Sequence, residues 1–66
     1  MKDYQERVTT ERFELDEKYR KLDTFIMGEL FDTLSTIDQI LLIQQLNAML
    51  LYSGLLMKRI QRFNNE

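Results

Sequence analysis

The chain has 66 residues, with 11 acidic and 9 basic side chains for a net charge of −2, and it contains no cysteine, no histidine and no proline. That inventory removes disulfides, zinc–thiolate sites, imidazole ligands and histidine-based nucleophiles together, and the slightly acidic balance argues against a general coat for DNA or RNA polymers. A chain this short buries only about 60% of its extended surface, so its own core is marginal and self-association is the expected source of further stability.

The first expected element is a charged helix from about Asp3 to Asp23 or slightly beyond. Val8, Leu15, Tyr19, Leu22 and Ile26 recur at helical spacing and draw one apolar stripe. Around that stripe both charge signs are dense, and Asp16 with Arg20 and Glu17 with Lys21 are spaced for pairing one turn apart. The same charges leave no apolar stretch for a signal peptide. Gly28 marks a break. "GELFDTL" after it reads as one or two helical turns that tuck Leu30, Phe31 and Leu34 under a hairpin. Next, Ser35 with Asp38 and Thr36 with Gln39 are equally good capping boxes, so a helix starts at one of the two.

The second long helix is expected from about Thr36 to Phe63, roughly 28 residues and about 42 Å. Leu42, Leu46, Met49, Ser53, Leu56, Ile60 and Phe63 alternate at four and three residues, which is one packing seam. Ile40, Ile43, Asn47, Leu50, Gly54 and Met57 form a second seam beside it. Leu41, Ala48, Tyr52 and Leu55 carry the apolar surface further round. One face suits the first helix, and the others are left for copies of the same chain. No charged residue occurs between Asp38 and Lys58, a length close to a membrane span, but Gln39, Gln44, Gln45, Asn47 and Ser53 interrupt it, and no membrane partner is expected. Gly54 implies a bend or a close neighbour, since glycine inside a helix costs about 1 kcal/mol relative to alanine.

The chain therefore reads as all-α, one domain over 1–66: a hairpin of a charged N-terminal helix, a short helical turn and a long C-terminal helix, assembled as a homo-oligomer. Antiparallel packing brings Tyr4 and Arg7 towards Lys58, Arg59 and Arg62. The pairs Asp16–Glu17 and Glu11–Glu14 sit on an exposed charged helix, which does not raise a carboxylate's pKa for acid–base work. No glycine-rich phosphate loop is present. Catalysis is not expected, and no cofactor or metal is required. What remains is binding, because cationic side chains with a nearby tyrosine hold phosphates and stack bases. The candidates are Arg7, Lys18, Lys21, Lys58, Arg59 and Arg62, with Tyr4. Each has a plainer role as well: Tyr4 as a lid on the apolar end, Lys18 as a solvated lysine, Arg59 as a partner of Glu6.

The order of these residues resembles the small phage proteins of the anti-CBASS protein 2 family. A segment of the form QxRVxxExxxLDxKxxKLxxFI is matched by Gln5-Glu6-Arg7-Val8, Leu15-Asp16-Glu17-Lys18 and Lys21-Leu22-Asp23-Thr24-Phe25-Ile26. A second, LLxxQxxxMxxYSxxLxxRI, is matched by Leu41-Leu42, Gln45, Met49, Tyr52-Ser53 and Arg59-Ile60. The resemblance implies a helical hexamer with a long, kinked C-terminal helix and pockets between protomers. It implies a sponge that sequesters cyclic dinucleotides and, at separate sites, cyclic trinucleotides in the cytoplasm of the infected bacterium, without altering them. Lys18 would contact one cyclic ligand, with Tyr4 stacking on its base. Arg59 would hold phosphates of a cyclic trinucleotide where several copies meet. Arg20 departs from the small or polar residue usual two positions after the lysine, and would add a phosphate contact or narrow the pocket. Arg7, Lys21 and Arg62 complete the candidate set. The rival reading is a non-enzymatic helical module that oligomerises or binds a partner helix and takes no small ligand.

Overall fold

A computed structural model describes residues 3–65, with side chains as far as Phe63. Helix α1 spans Asp3–Ile26, a single helical turn α2 spans Glu29–Asp32, and helix α3 spans Thr36–Gln61 before tightening into a 3-10 turn over Arg62–Asn65. No strand occurs among the described residues. The two long helices lie side by side in a rod of 48 × 14 × 14 Å. Their antiparallel register is pinned at two heights. The Tyr4 and Phe63 rings meet edge to face at 5.9 Å, and the Ser53 hydroxyl donates to Asp16 Oδ1 at 2.6 Å.

The expected seam of α3 is the face that packs. Leu56 is fully buried, and Leu42, Leu46, Met49, Ser53, Ile60 and Phe63 are all at least half-buried against α1. Val8 and Leu15 from α1 join Leu56 as the centre of the core, with Met49, Ile60 and Phe63 around them. The α1 stripe has two polar members that the apolar pattern passes over. Gln5 is buried, and Arg12 is half-buried with its Nε enclosed, 3.6 Å from Asp16 Oδ2. With Val8, Leu15, Tyr19, Leu22 and Ile26 they complete an unbroken alternation of three and four, the geometry of a coiled-coil seam.

The connection matches its composition. Phe31 is buried beneath the turn and Leu34 is half-buried, but Leu30 points outwards. The Gln39 side-chain amide donates to the Phe31 carbonyl at 2.9 Å and ties α2 to the start of α3. Of the two possible caps, Ser35 is the one used: its hydroxyl accepts from the Asp38 N–H at 3.2 Å. Replacing Ser35 with alanine should cost about 1 kcal/mol. Urea denaturation followed at 222 nm checks this, and an unchanged midpoint would assign the start of α3 to packing alone.

The expected surface ion pairs are rearranged. Asp16 turns inwards to accept from Ser53 and pairs with Arg12 instead of Arg20. Arg20 then takes Glu17, three residues back, in place of the anticipated Glu17–Lys21 pair. The physical reason is the cross-helix hydroxyl: a carboxylate beside the seam gains more from a partly buried donor than from an exposed cation. α3 runs through Gly54 as continuous α-helix, and a Cβ placed there would meet nothing within 4 Å.

Candidate functional site

The rest of α3 has no partner within the hairpin. Leu51 is 73% exposed and Leu55 58%, and Ile40, Leu41, Ile43, Leu50, Tyr52 and Met57 are exposed with them. By length and composition α3 is long and apolar enough to cross a membrane, with a mean hydropathy of 1.6. Its inward face is nonetheless committed to the charged helix α1, and its outward faces carry exposed Gln44, Gln45 and Asn47.

The candidate ligand residues fall into two groups. Tyr4 and Arg7 on the first turns of α1 share the open end of the hairpin with Lys58 and Arg59 in the last turn of α3 and with Arg62 just beyond it. All five are exposed. Tyr4 is engaged with Phe63 and still shows 39% of its surface, so it both closes the core and offers a ring face. Arg7 lines a shallow hollow of about 580 Å³ with Asp3, Glu6, Thr10, Glu11 and Glu14. Four carboxylates around one guanidinium repel a phosphate, so on the single hairpin this hollow is not an anion site. Among the described residues no ion pair joins Glu6 to Arg59, which leaves the Arg59 guanidinium available.

The second group is Lys18, Arg20 and Lys21 on the outer surface of α1. Lys18 and Lys21 are three residues apart and project together. Arg20 and Lys21 line a hollow of about 400 Å³ with Glu17 and Thr24, and Arg20 is held there by Glu17. Arg20 is thus partly neutralised, whereas Lys18 presents its full charge. Sequence reasoning passed over Phe13, which is 66% exposed. It shares a helical stripe with Glu17, Arg20 and Thr24, while Phe25 follows Lys18 and Lys21 on the neighbouring stripe. The available signal was position: Phe13 falls off the seam that Val8 and Leu15 define.

Within one chain the two groups cannot serve one small ligand. Tyr4 and Lys18 are separated by about 21 Å along α1. Each hollow is open to solvent, with a single wall. A compact site that uses both Tyr4 and Lys18 must therefore draw them from different copies. Among known protein families, the model of the family described as Sequestin matches residues 2–62. No curated protein and no solved structure matches the chain.

Proposed function

The chain belongs to the Sequestin family, and from that premise we propose that it is a non-catalytic sponge that binds and holds cyclic di- and trinucleotide messengers. The carrying observation is the pairing of two separated cationic groups with an α3 surface that no part of the hairpin covers. Copies assembled through that surface, as a hexamer, would convert one-walled hollows into pockets. Lys18, with Arg20 and Lys21, meets one class of ligand, and Tyr4 from another copy stacks on its base. Arg59, with Arg62, meets phosphates of the other class where copies converge. The phosphodiesters are bound by charge-assisted hydrogen bonds and left intact. Sequestration in the cytoplasm of an infected bacterium keeps the messenger from its effector and blunts CBASS-type antiphage immunity. The family name and the resemblance of both sequence segments to the anti-CBASS protein 2 sponges support this reading.

A thermal-shift panel of cyclic di- and trinucleotides tests it. A ligand present at a hundred times its Kd adds about 2.7 kcal/mol to the folded state, which raises the melting temperature of a chain this small by several degrees. The expected result is a rise with at least one member of each ligand class. A flat panel would leave the exposed face of α3 as the functional feature and favour a helical interaction module.

A further inference from the structure

We infer that a second copy covers the exposed face of α3 by packing antiparallel to it, with Ala48 at the crossing point. The inference rests on the reading of the chain as a homo-oligomer, and it begins from the distribution of charge. Asp38 stands in the first turn of α3, Lys58 and Arg59 in the last, and no charge lies between them. The asymmetry extends to the whole rod. No lysine or arginine occurs between Lys21 and Lys58, a stretch that holds Asp23, Glu29, Asp32 and Asp38 at the turn end. The open end carries Lys58, Arg59 and Arg62 at the close of α3, and Arg7 beside Asp3 and Glu6 on α1, so the cationic excess there belongs to the α3 side.

Parallel pairing of two α3 helices would set Asp38 beside Asp38 and the Lys58-Arg59 pair beside its duplicate, and would align both helix dipoles. Antiparallel pairing turns each of these repulsions into an attraction. The matching charges also set the register. Asp38 and Lys58 are about 20 residues apart, and the position midway is Ala48. Leu41 and Leu55 lie seven residues to either side of Ala48, and Gln44 and Tyr52 four. All five share one face of the helix and are exposed. A half-turn about Ala48 lays Leu41 on the partner's Leu55 and Gln44 beside the partner's Tyr52, while alanine at the crossing lets the backbones approach. The contact uses the same patch on both copies, so it closes on itself instead of propagating into a filament. It also carries the open end of one hairpin to the turn end of the other.

Paired cysteines test the direction, because the chain has no cysteine of its own. Leu41→Cys protein, carrying a mass tag, is mixed with Leu55→Cys protein and oxidised under folding conditions. Circular dichroism and sedimentation are run on each. The expected product is the mixed 41–55 disulfide, in several-fold excess over either self-linked species. Predominance of the 41–41 product would overturn the antiparallel arrangement. Absence of any disulfide while both variants sediment as assemblies would place the interface elsewhere and equally overturn it. Flotation of the parent protein with phospholipid vesicles would assign the face to lipid, against the proposal. A monomeric parent would instead remove the homo-oligomer reading itself, independently of whether nucleotides shift its melting temperature.

Discussion

Leu56→Ala should leave the chain largely unfolded at room temperature in dilute solution. Leu56 is the one fully buried large side chain among the described residues, and it touches the cluster formed by Val8 and Leu15. Truncating a buried leucine costs about 3–5 kcal/mol through forfeited transfer energy and the cavity left behind. A 66-residue chain has little stability in excess of that. The measurement is helicity at 222 nm across a urea titration, beside Leu51→Ala as a control. Leu51 is 73% exposed in the hairpin, so its truncation spares the intramolecular core and acts only on contacts between copies. A Leu56→Ala protein that melts within a few degrees of the parent would mean that assembly, not the α1–α3 seam, supplies most of the folding free energy.

Under the sponge reading, Arg59→Ala and Lys18→Ala should separate the two ligand classes. Both side chains are exposed and outside the core, so each variant should keep the parent's helicity and sedimentation. A hydrogen bond to a charged group is worth about 1.5–3 kcal/mol, so removing one weakens affinity roughly 10- to 100-fold. Where several copies present Arg59 to one cyclic trinucleotide, these effects combine and binding should fall by about 100-fold or more. The same variant should hold cyclic dinucleotides nearly as the parent does, and Lys18→Ala should show the reverse pattern. Isothermal titration with one ligand of each class decides the matter. Equal weakening for both ligands would indicate a single site, and no change for either would remove these residues from the binding surface.

The residues that build the hairpin were readable in advance because their spacing is constrained. Leu42 to Phe63 keep an uninterrupted alternation of three and four with Ser53 as the one polar member, whereas the neighbouring seam from Ile40 to Met57 carries Asn47 and Gly54. The break at Gly28 was equally visible, and the cap was narrowed to Ser35 or Thr36, since turn and cap chemistry is local. Asp16 was not. From the sequence it has two helical neighbours of opposite charge, and only the approach of Ser53 from the other helix decides where the carboxylate turns. Phe13 escaped for a related reason, because an aromatic within a helix reads as packing until the seam is known to exclude it. The grouping of Tyr4, Arg7, Arg59 and Arg62 at one end followed from antiparallel topology alone. The separation of Tyr4 from Lys18 also follows from helix length, but what lies across from each is a property of several chains together. A single chain's pattern records such a relation only as surface left over.

The placement of the candidate ligand residues bears on how such a protein diversifies. Val8, Leu15 and Leu56, which hold the hairpin, are disjoint from Lys18, Arg20, Lys21 and Arg59, which stand on its outer surface. Under the sponge reading, substitutions at the outer positions would alter which bases and linkages are accepted while leaving the folding free energy almost untouched. Ligand preference can therefore drift in single steps, each compatible with a folded protein. On that reading, a host that changes its messenger would face a viral counterpart able to follow it without rebuilding its scaffold.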